Sequence, residues 1–217
     1  MNRCYYFQRV ISGFKTAVIL GIVGQFVTGC VNLGDGDNAA DAALKASKQL
    51  ALKQRSESLG ALQDWQIDGR ISLTTDDEAW SGKLYWMQRR GSYQINFNAP
   101  SGQGALQLLG DEYGVELRLA NGESYTARDT DTLLREQAGW ELPIGSLWYW
   151  IRGLPDPGLP QSVQVDTEGL VQRLEQNDWV IEYDRYQQYQ GYQFPRKIVV
   201  ESEDMKVRLI VSRWNVS

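Results

Sequence analysis

Histidine is absent from the 217-residue chain. Its absence excludes Ser/His/Asp and Cys/His catalysis, and it removes the commonest zinc ligand and the usual general base at neutral pH. Paired carboxylates are the remaining route to acid–base catalysis, and acidic residues cluster at Asp76, Asp77 and Glu78 and at Asp129 and Asp131. The first cluster is typical of a hairpin turn and the second of a helix start, so we do not expect an enzyme.

A glycine-rich phosphate loop and an excess of basic residues are also lacking. Gly102 and Gly104 lie between two strand-like segments and do not open a helix, as a phosphate loop would require. The formal net charge is −5 for the whole chain and about −8 without residues 1–29. Proteins that bind nucleic acid present a clustered basic surface, so the charge balance does not indicate nucleic acid as a partner.

Residues 1–29 have the composition of a lipoprotein signal peptide. They carry three basic residues and no acidic one, and the 14 residues from Thr16 to Gly29 are predominantly apolar. That length fits a secretory h-region of about 7 to 15 residues, whereas a membrane-spanning helix needs about 20. The segment ends in Val27-Thr28-Gly29-Cys30, the pattern of a bacterial lipoprotein cleavage site. The alternative is an uncleaved helical anchor, which the short run and its interruption by Gln25 disfavour.

Cys30 is the expected site of lipid attachment. Cysteine is scarce: only Cys4 and Cys30 occur, so cleavage before Cys30 leaves no partner for a disulfide. We expect Cys30 to carry covalent N-acyl and diacylglyceryl lipid, and no other cofactor, because stable anchoring takes more than one acyl chain. Val31 stands where many Gram-negative lipoproteins retained at the inner membrane have an aspartate. The predicted location is therefore the inner leaflet of the outer membrane, facing the periplasm.

The segment from Asn38 to Leu59 predicts a helix. It is rich in Ala, Leu, Lys and Gln, contains no proline or internal glycine, and is followed by Gly60 as a candidate end. The Asn/Gly/Asp-rich stretch from Asn32 to Asn38 is expected to be a flexible tether. The chain thus divides into a signal peptide (1–29), a lipid-anchored tether and helix (30–60), and a folded domain (61–217).

Strict alternation of apolar and polar residues begins at Trp65. In the first segment Trp65, Ile67, Gly69, Ile71 and Leu73 share one parity, which is the signature of a half-buried strand. The alternation recurs along the chain, and short turns such as 120–123, with Asn-Gly at its centre, separate the segments. About eleven strands are predicted, and strands joined by such turns must be antiparallel.

A helical region from about Asp129 to Gly153 interrupts the strands. Its first helix is expected to open at Asp129 or Thr130 and to end near Gly139, and the second starts after Pro143. The second helix carries a single apolar stripe, made of Ile144, Leu147, Trp148 and Ile151. The predicted fold is mainly β (α+β): a single, strongly curved antiparallel sheet with helices on its apolar side. The periodicity alone leaves open whether the concavity is filled or keeps an apolar cavity.

Several motifs resemble the LolB-type outer-membrane lipoprotein receptors. After the cleavage site and helix come Trp65-Gln66-Ile67-Asp68-Gly69-Arg70, Asn96-Phe97-Asn98-Ala99-Pro100-Ser101-Gly102, Tyr125-Thr126-Ala127, Leu142-Pro143-Ile144, Ser146-Leu147 and Trp150-Ile151-Arg152-Gly153-Leu154-Pro155. The last of these motifs is the most specific. Trp179, Tyr183, Pro195 and Trp214 resemble residues on the final strands of the family. The resemblance covers residues 27–217.

The resemblance implies an unclosed half-barrel of eleven antiparallel strands, with helices covering a hydrophobic cavity. It also implies that a monomer accepts the acyl chains of lipoproteins from a soluble periplasmic carrier of the same fold and releases them into the outer membrane, without covalent chemistry. The implied acyl-chain cavity is lined by the apolar-parity residues, with Trp86, Ile95, Phe97, Leu106, Leu108, Leu117, Leu119, Leu147, Trp148 and Ile151 as the leading candidates.

The chain departs from the family pattern at one loop. The family carries a Pro-x-Gly loop whose middle residue is often large and apolar and serves as a membrane-delivery tip, whereas Pro100, Ser101 and Gly102 place a serine there. Two other functions are retained as alternatives. One is a periplasm-facing lipid or glycolipid carrier of the same fold, and the other is a scaffold lipoprotein of an envelope assembly complex, which would have a filled core.

Overall fold

The computed structural model describes residues 35–100 and 104–217. It contains three helices and eleven strands: α1 (Asp35–Gly60), β1 (Trp65–Thr75), β2 (Ala79–Arg89), β3 (Ser92–Asn98), β4 (Leu106–Gly110), β5 (Val115–Leu119), β6 (Ser124–Ala127), α2 (Thr130–Ala138), α3 (Ile144–Trp150), β7 (Ser162–Val165), β8 (Val171–Gln176), β9 (Trp179–Tyr189), β10 (Tyr192–Glu201) and β11 (Met205–Val216). The predicted architecture, a single antiparallel sheet with helices on one side, is confirmed.

All eleven strands belong to one sheet, in the order β6-β5-β4-β3-β2-β1-β11-β10-β9-β8-β7. Every neighbouring pair is antiparallel, and the first and last strands of the chain pair at the centre. Strands β1 to β6 extend from β1 to one edge, and β7 to β11 return from the other edge to β11. The sheet is not closed, because β6 and β7 do not pair with each other among the described residues.

The alternation in the sequence sets which face of the sheet is buried. In β1, Trp65, Ile67 and Leu73 are buried while Arg70 on the other parity is exposed. The pattern continues across the sheet, so one face carries the apolar core and the opposite face is polar. Burial of large apolar side chains is the main favourable contribution to folding, and here it is confined to the concave face.

Two glycines allow neighbouring strands to approach closely where the sheet bends. A Cβ atom on Gly82 would lie 2.4 Å from the carbonyl oxygen of Asn98, and one on Gly69 would lie 2.6 Å from that of Ile210. The register between β1 and β11 also shifts between Asp68 and Gly69. A bulge of this kind bends a strand and increases its twist.

Helix α1 begins three residues earlier than predicted. The interpretation of the stretch from Asn32 to Asn38 as a flexible tether is therefore wrong from residue 35 onward. Residues 38–47 are exposed, while Leu52 and Leu59 pack into the core. The backbone at Leu52 lies so close to the β7–β8 turn that only glycine fits at Gly169. Among the described helices, none is both long and apolar enough to cross a membrane.

The helical region between β6 and β7 carries the chain from one edge of the sheet to the other. Helix α2 has the predicted start and end, because Asp129 accepts a hydrogen bond from the Thr132 amide and Gly139 adopts a left-handed conformation. The Asp131 carboxylate accepts from the Ile144 amide at 3.1 Å, which ties α2 to the start of α3. The capping bond lowers the pKa of Asp129, whereas burial raises that of Asp131. Asp129 therefore marks the helix start that its position predicted, and Asp131 in addition ties α2 to α3.

Replacement of Gly82 by alanine should test the close approach of β2 and β3. We expect Gly82→Ala to lower the free energy of unfolding by about 1–3 kcal/mol, because the new methyl group collides with a backbone carbonyl that cannot move alone. Gly145→Ala is the matched control: no atom lies within 4 Å of the added Cβ in α3, and alanine favours a helix by about 0.5–1 kcal/mol. Urea unfolding measures both variants. Equal midpoints for the two variants would contradict a close approach of the strands at Gly82.

Candidate functional site

An apolar cavity lies between the concave face of the sheet and the helical cover formed by α2, α3 and their connection. Its volume is about 70 Å³, and its wall presents no polar surface. The sheet contributes Ile71, Leu73, Leu84, Trp86, Ile95, Phe97, Leu106, Leu108, Ile198, Val200, Val207 and Leu209, and the cover contributes Leu134, Trp140, Leu142, Ile144, Leu147 and Ile151. A drug-sized ligand occupies about 300–1,000 Å³, so the concavity is mostly filled by side chains.

Seven of the ten residues predicted to line a cavity surround this one. They are Trp86, Ile95, Phe97, Leu106, Leu108, Leu147 and Ile151. Leu117 is fully buried, and neither it nor its strand neighbour Leu119 lines the cavity, because β5 lies near the edge of the sheet, beside β6 and under α2. Trp148 lies on the other side of α3, beside α1. The helical spacing predicts Trp148 on the same apolar stripe as Leu147, but its ring packs against Arg152 instead.

Sequence analysis missed the cavity residues of β10 and β11. These strands lie on the side of β1 opposite to β2. Ile198, Val200, Val207 and Leu209 line the cavity because β10 and β11 pair beside β1. Val207 and Leu209 have the alternation that marks a buried face, but the pairing of the first strand with the last gives no local signal. The cover residues Trp140 and Leu142 were missed as well, since they lie in a loop.

Two partly exposed tryptophans lie beside the cavity on the side of the β3–β4 loop: Trp140 lines the cavity and Trp80 packs against Trp140, and we call this pair the tryptophan rim. The rings of Trp80 and Trp140 meet edge to face, with centroids 5.9 Å apart. The Trp80 indole N–H donates to Glu78 at 2.8 Å, which fixes the ring at the start of β2. Gly104 lies against the same ring, where a Cβ atom would be 3.0 Å away. This edge of the cover is held to the sheet mainly by aromatic packing.

An aromatic cluster closes the opposite end of the concave face. Trp65 contacts Trp86 and Trp214, with ring centroids 5.5 and 5.6 Å apart. Phe194 stacks on Trp214 at 4.1 Å. All four rings are buried. The cavity therefore has a closed end, bounded by Trp86, and a rim at Trp80 and Trp140.

The far end of the cover, at the C-terminus of α3, is fixed by buried hydrogen bonds. The Trp150 indole N–H donates to the side-chain oxygen of Gln176 at 2.9 Å, and the Tyr183 hydroxyl donates to the Trp150 carbonyl at 2.9 Å. Burial raises the pKa of Tyr183, so the hydroxyl remains a donor at neutral pH. These contacts attach α3 to β8 and β9.

Arg152 connects the same end of the cover to α1. Its side chain is fully buried and donates to the carbonyls of Trp148 and Leu59 at 3.0 and 2.7 Å. The guanidinium also lies 3.5 Å from the centre of the Trp148 ring, a cation–π contact. Burial lowers its pKa to about 10, so it stays protonated at neutral pH. No carboxylate among the described residues pairs with it, and carbonyl dipoles and the aromatic ring take that role.

Two predicted site segments cannot be placed on this geometry. Cys30 and the signal peptide precede the first described residue, and Ser101 and Gly102 lie in the gap between residues 100 and 104. Pro100 is exposed at the end of β3. The lipid-attachment and membrane-delivery roles of these residues therefore remain predictions.

Comparison with known proteins identifies the family. A family model described as outer membrane lipoprotein LolB matches residues 63–214. This range includes both cover helices and the whole sheet except the last two residues of β11. The chain belongs to the LolB family. Members are outer-membrane lipoproteins, and that is the location of this chain.

Two LolB relatives show how far the similarity extends. The outer-membrane lipoprotein LolB of Pseudomonas aeruginosa is 38% identical over 162 residues, which cover 75% of this chain and 79% of the relative. That of Pseudomonas savastanoi pv. phaseolicola is 33% identical over 201 residues, covering 93% and 96%. A solved LolA superfamily protein from Nitrosomonas europaea has the same fold, with a TM-score of 0.54 at 9% identity over 78% of this chain and 93% of that one.

Arg152→Lys should show that the guanidinium geometry holds the cover. A lysine ammonium cannot reach both carbonyls and stack on Trp148, so we expect a loss of about 2–4 kcal/mol in the free energy of unfolding. Arg135→Lys is the control, since that exposed arginine on α2 should change stability by less than about 0.5 kcal/mol. Urea denaturation of both variants decides. A stability loss no larger than that of the control would contradict the assigned role.

Proposed function

We propose that this chain accepts the acyl chains of lipoproteins from a soluble periplasmic carrier of the same fold and releases them into the inner leaflet of the outer membrane. The observation that carries the proposal is the apolar cavity enclosed by the sheet and its helical cover in a chain of the LolB family. A wall without polar surface suits hydrocarbon and offers no group for covalent chemistry. The protein acts as a monomeric binding protein.

Acceptance of an acyl chain requires the cover to move. A cavity of about 70 Å³ has room for only a few methylene groups, given that one water takes up about 30 Å³ in the liquid. The C-terminal end of α3 is fixed by the buried bonds of Trp150 and Arg152, whereas the opposite edge is held by the contact of Trp80 with Trp140. We therefore propose that the cover opens at the tryptophan rim and pivots about the end of α3.

Directional transfer needs only a difference in affinity between successive sites. Each buried CH₂ contributes about 0.8 kcal/mol, so a site that covers two more methylene groups than the carrier binds the chain about tenfold more tightly. The bilayer covers the whole chain and is the final acceptor. Cys30, through its attached lipid, holds the protein at that acceptor.

The cavity also bears on the two alternative functions, a scaffold lipoprotein and a lipid or glycolipid carrier. A scaffold lipoprotein would have a filled core, and the concavity here is mostly filled but keeps an apolar cavity of about 70 Å³ with no polar wall. A lipid or glycolipid carrier would use the same wall, but a sugar headgroup needs polar partners, and the cavity wall provides none. Lipoprotein acyl chains match both the wall and the family.

Leu106→Glu should abolish acceptance of acyl chains. Leu106 lines the cavity from β4 and is only partly buried, so the variant is expected to fold, while a carboxylate facing hydrocarbon costs several kcal/mol. Leu109→Glu is the matched control, because Leu109 is on the same strand with its side chain on the opposite face. Transfer of a lipoprotein from the loaded carrier measures acceptance, with melting temperatures recorded for both. Equal transfer by the two variants would refute the cavity as the acceptor site.

Cys30→Ala should release a folded protein into the soluble periplasmic fraction. The core that stabilises the sheet lies within residues 52–214, so the anchor contributes nothing to folding. Fractionation after a salt wash measures the distribution, and the melting temperature verifies folding. Retention of the washed variant in the outer membrane would show that the attached lipid is not the main anchor.

A further inference from the structure

A groove on the convex face of the sheet collects cationic side chains. Arg70, Lys83 and Arg208 are exposed and line it together with the hydroxyls of Ser72 and Ser81. Its volume is about 520 Å³, and no acidic residue lines it. This is unexpected in a chain whose net charge is −5.

The three cations differ from their neighbours in lacking carboxylate partners. Three other basic residues on the polar face do have such partners: Lys197 pairs with Asp184 at 2.8 Å, Lys206 with Glu201 at 2.7 Å, and Arg213 with Asp68 at 3.2 Å. Within residues 35–100 and 104–217, no carboxylate forms an ion pair with Arg70, Lys83 or Arg208. The groove therefore keeps three positive charges available to an external anion.

The register of the strands brings these charges together. Arg70 of β1 is directly opposite Lys83 of β2, and Arg208 of β11 is opposite Ser72, two residues further along β1. Like charges directly opposite each other destabilise a sheet, so the arrangement opposes folding unless an anion neutralises it. Ser72 and Ser81 are also directly opposite each other and add two hydroxyl donors between the cations.

We propose that this groove binds the phosphate groups of anionic phospholipids and docks the convex face of the sheet on the inner leaflet of the outer membrane. Arginine and lysine are the usual ligands of phosphate, and the guanidinium fork can bind two of its oxygens at once. The inference deepens the proposed function, on which it rests, because it supplies the contact that positions the protein for release.

The surroundings of the groove favour a lipid surface over an acidic protein. The apolar side chain of Ile210 is 40% exposed beside Arg70, and Pro100 forms the end of the groove near the cavity rim. Cations next to exposed apolar groups are typical of segments that lie at a bilayer interface. The groove and the cavity lie on opposite faces of β1 and β2, so a carrier at the rim and a membrane at the groove can be engaged together.

Vesicle binding by matched triple variants tests the proposal. The Cys30→Ala chain, which lacks the lipid anchor, is mixed with vesicles of phosphatidylethanolamine and phosphatidylglycerol or of phosphatidylcholine alone, and sedimentation gives the bound fraction. One variant carries Arg70→Gln, Lys83→Gln and Arg208→Gln. The control carries Lys197→Gln, Lys206→Gln and Arg213→Gln, which removes the same charge from the same face.

Each basic residue at an anionic surface strengthens binding about fivefold, so the groove variant should bind phosphatidylglycerol vesicles on the order of 10- to 100-fold more weakly than the parent. The control should change less than about threefold, and binding to phosphatidylcholine vesicles should be weak for all three proteins. Equal losses for both triple variants, or no loss for the groove variant, would overturn the proposal. So would a loss of carrier binding by the groove variant with vesicle binding intact, since the groove would then recognise a protein.

Acceptance and release are measured separately to keep this inference apart from the proposed function. In the lipid-anchored protein the groove variant should accept acyl chains from the carrier at the parental rate and deliver them to vesicles more slowly. Leu106→Glu should show the opposite result. The lipid-anchored variant should not accept acyl chains, whereas the protein that carries both Leu106→Glu and Cys30→Ala should bind vesicles as tightly as the Cys30→Ala parent. Failure of acceptance in the parent itself would refute the proposed function and leave the vesicle result valid.

Discussion

The apolar concave face of a single open sheet has to be covered by the same chain, and the rest of the molecule depends on this constraint. A closed barrel would bury its own interior, but β6 and β7 do not meet, so the segment between them crosses the concavity as α2 and α3. The same segment provides the inner wall of the cavity and the tryptophan rim. The cover is tied to the sheet by hydrogen bonds at both ends, through Tyr93 at the start of α2 and through Tyr183 and Gln176 at the end of α3, and by apolar contacts between them. The proposed opening lies along this apolar part.

Much of the fold was predictable because its signals are local. Alternation of apolar and polar residues identifies the strands and their buried parity, and Asn121-Gly122 marks a tight antiparallel connection. Asp129 and Gly139 mark the ends of α2 through capping preferences that act within one helical turn. Five of the cavity residues follow from the same parity, since a residue on the concave face of the sheet faces the cover, and Leu147 and Ile151 follow from the apolar stripe of α3.

The missed features depend on contacts between residues far apart in the sequence. Burial of Arg152 depends on the carbonyl of Leu59, 93 residues away, and no local pattern distinguishes this arginine from an exposed one. Trp148 lies on the α1 side of α3 and not in the cavity, and its ring packs against that cation. The basic groove likewise arises from the pairing of β1 with both β2 and β11, whereas the overall charge of the chain suggested no basic surface.

The edge strands of the open sheet bear on how the protein behaves at high local density. A strand at an edge presents unpaired backbone donors and acceptors, which can template pairing with another chain and lead to aggregation. Here β6 and β7 have only four residues each, and α2 contacts β6 while α1 contacts β7. Many copies confined to one leaflet can therefore meet at their sheet edges without forming an intermolecular sheet. An unclosed barrel can thus reach a high density on a membrane without aggregating.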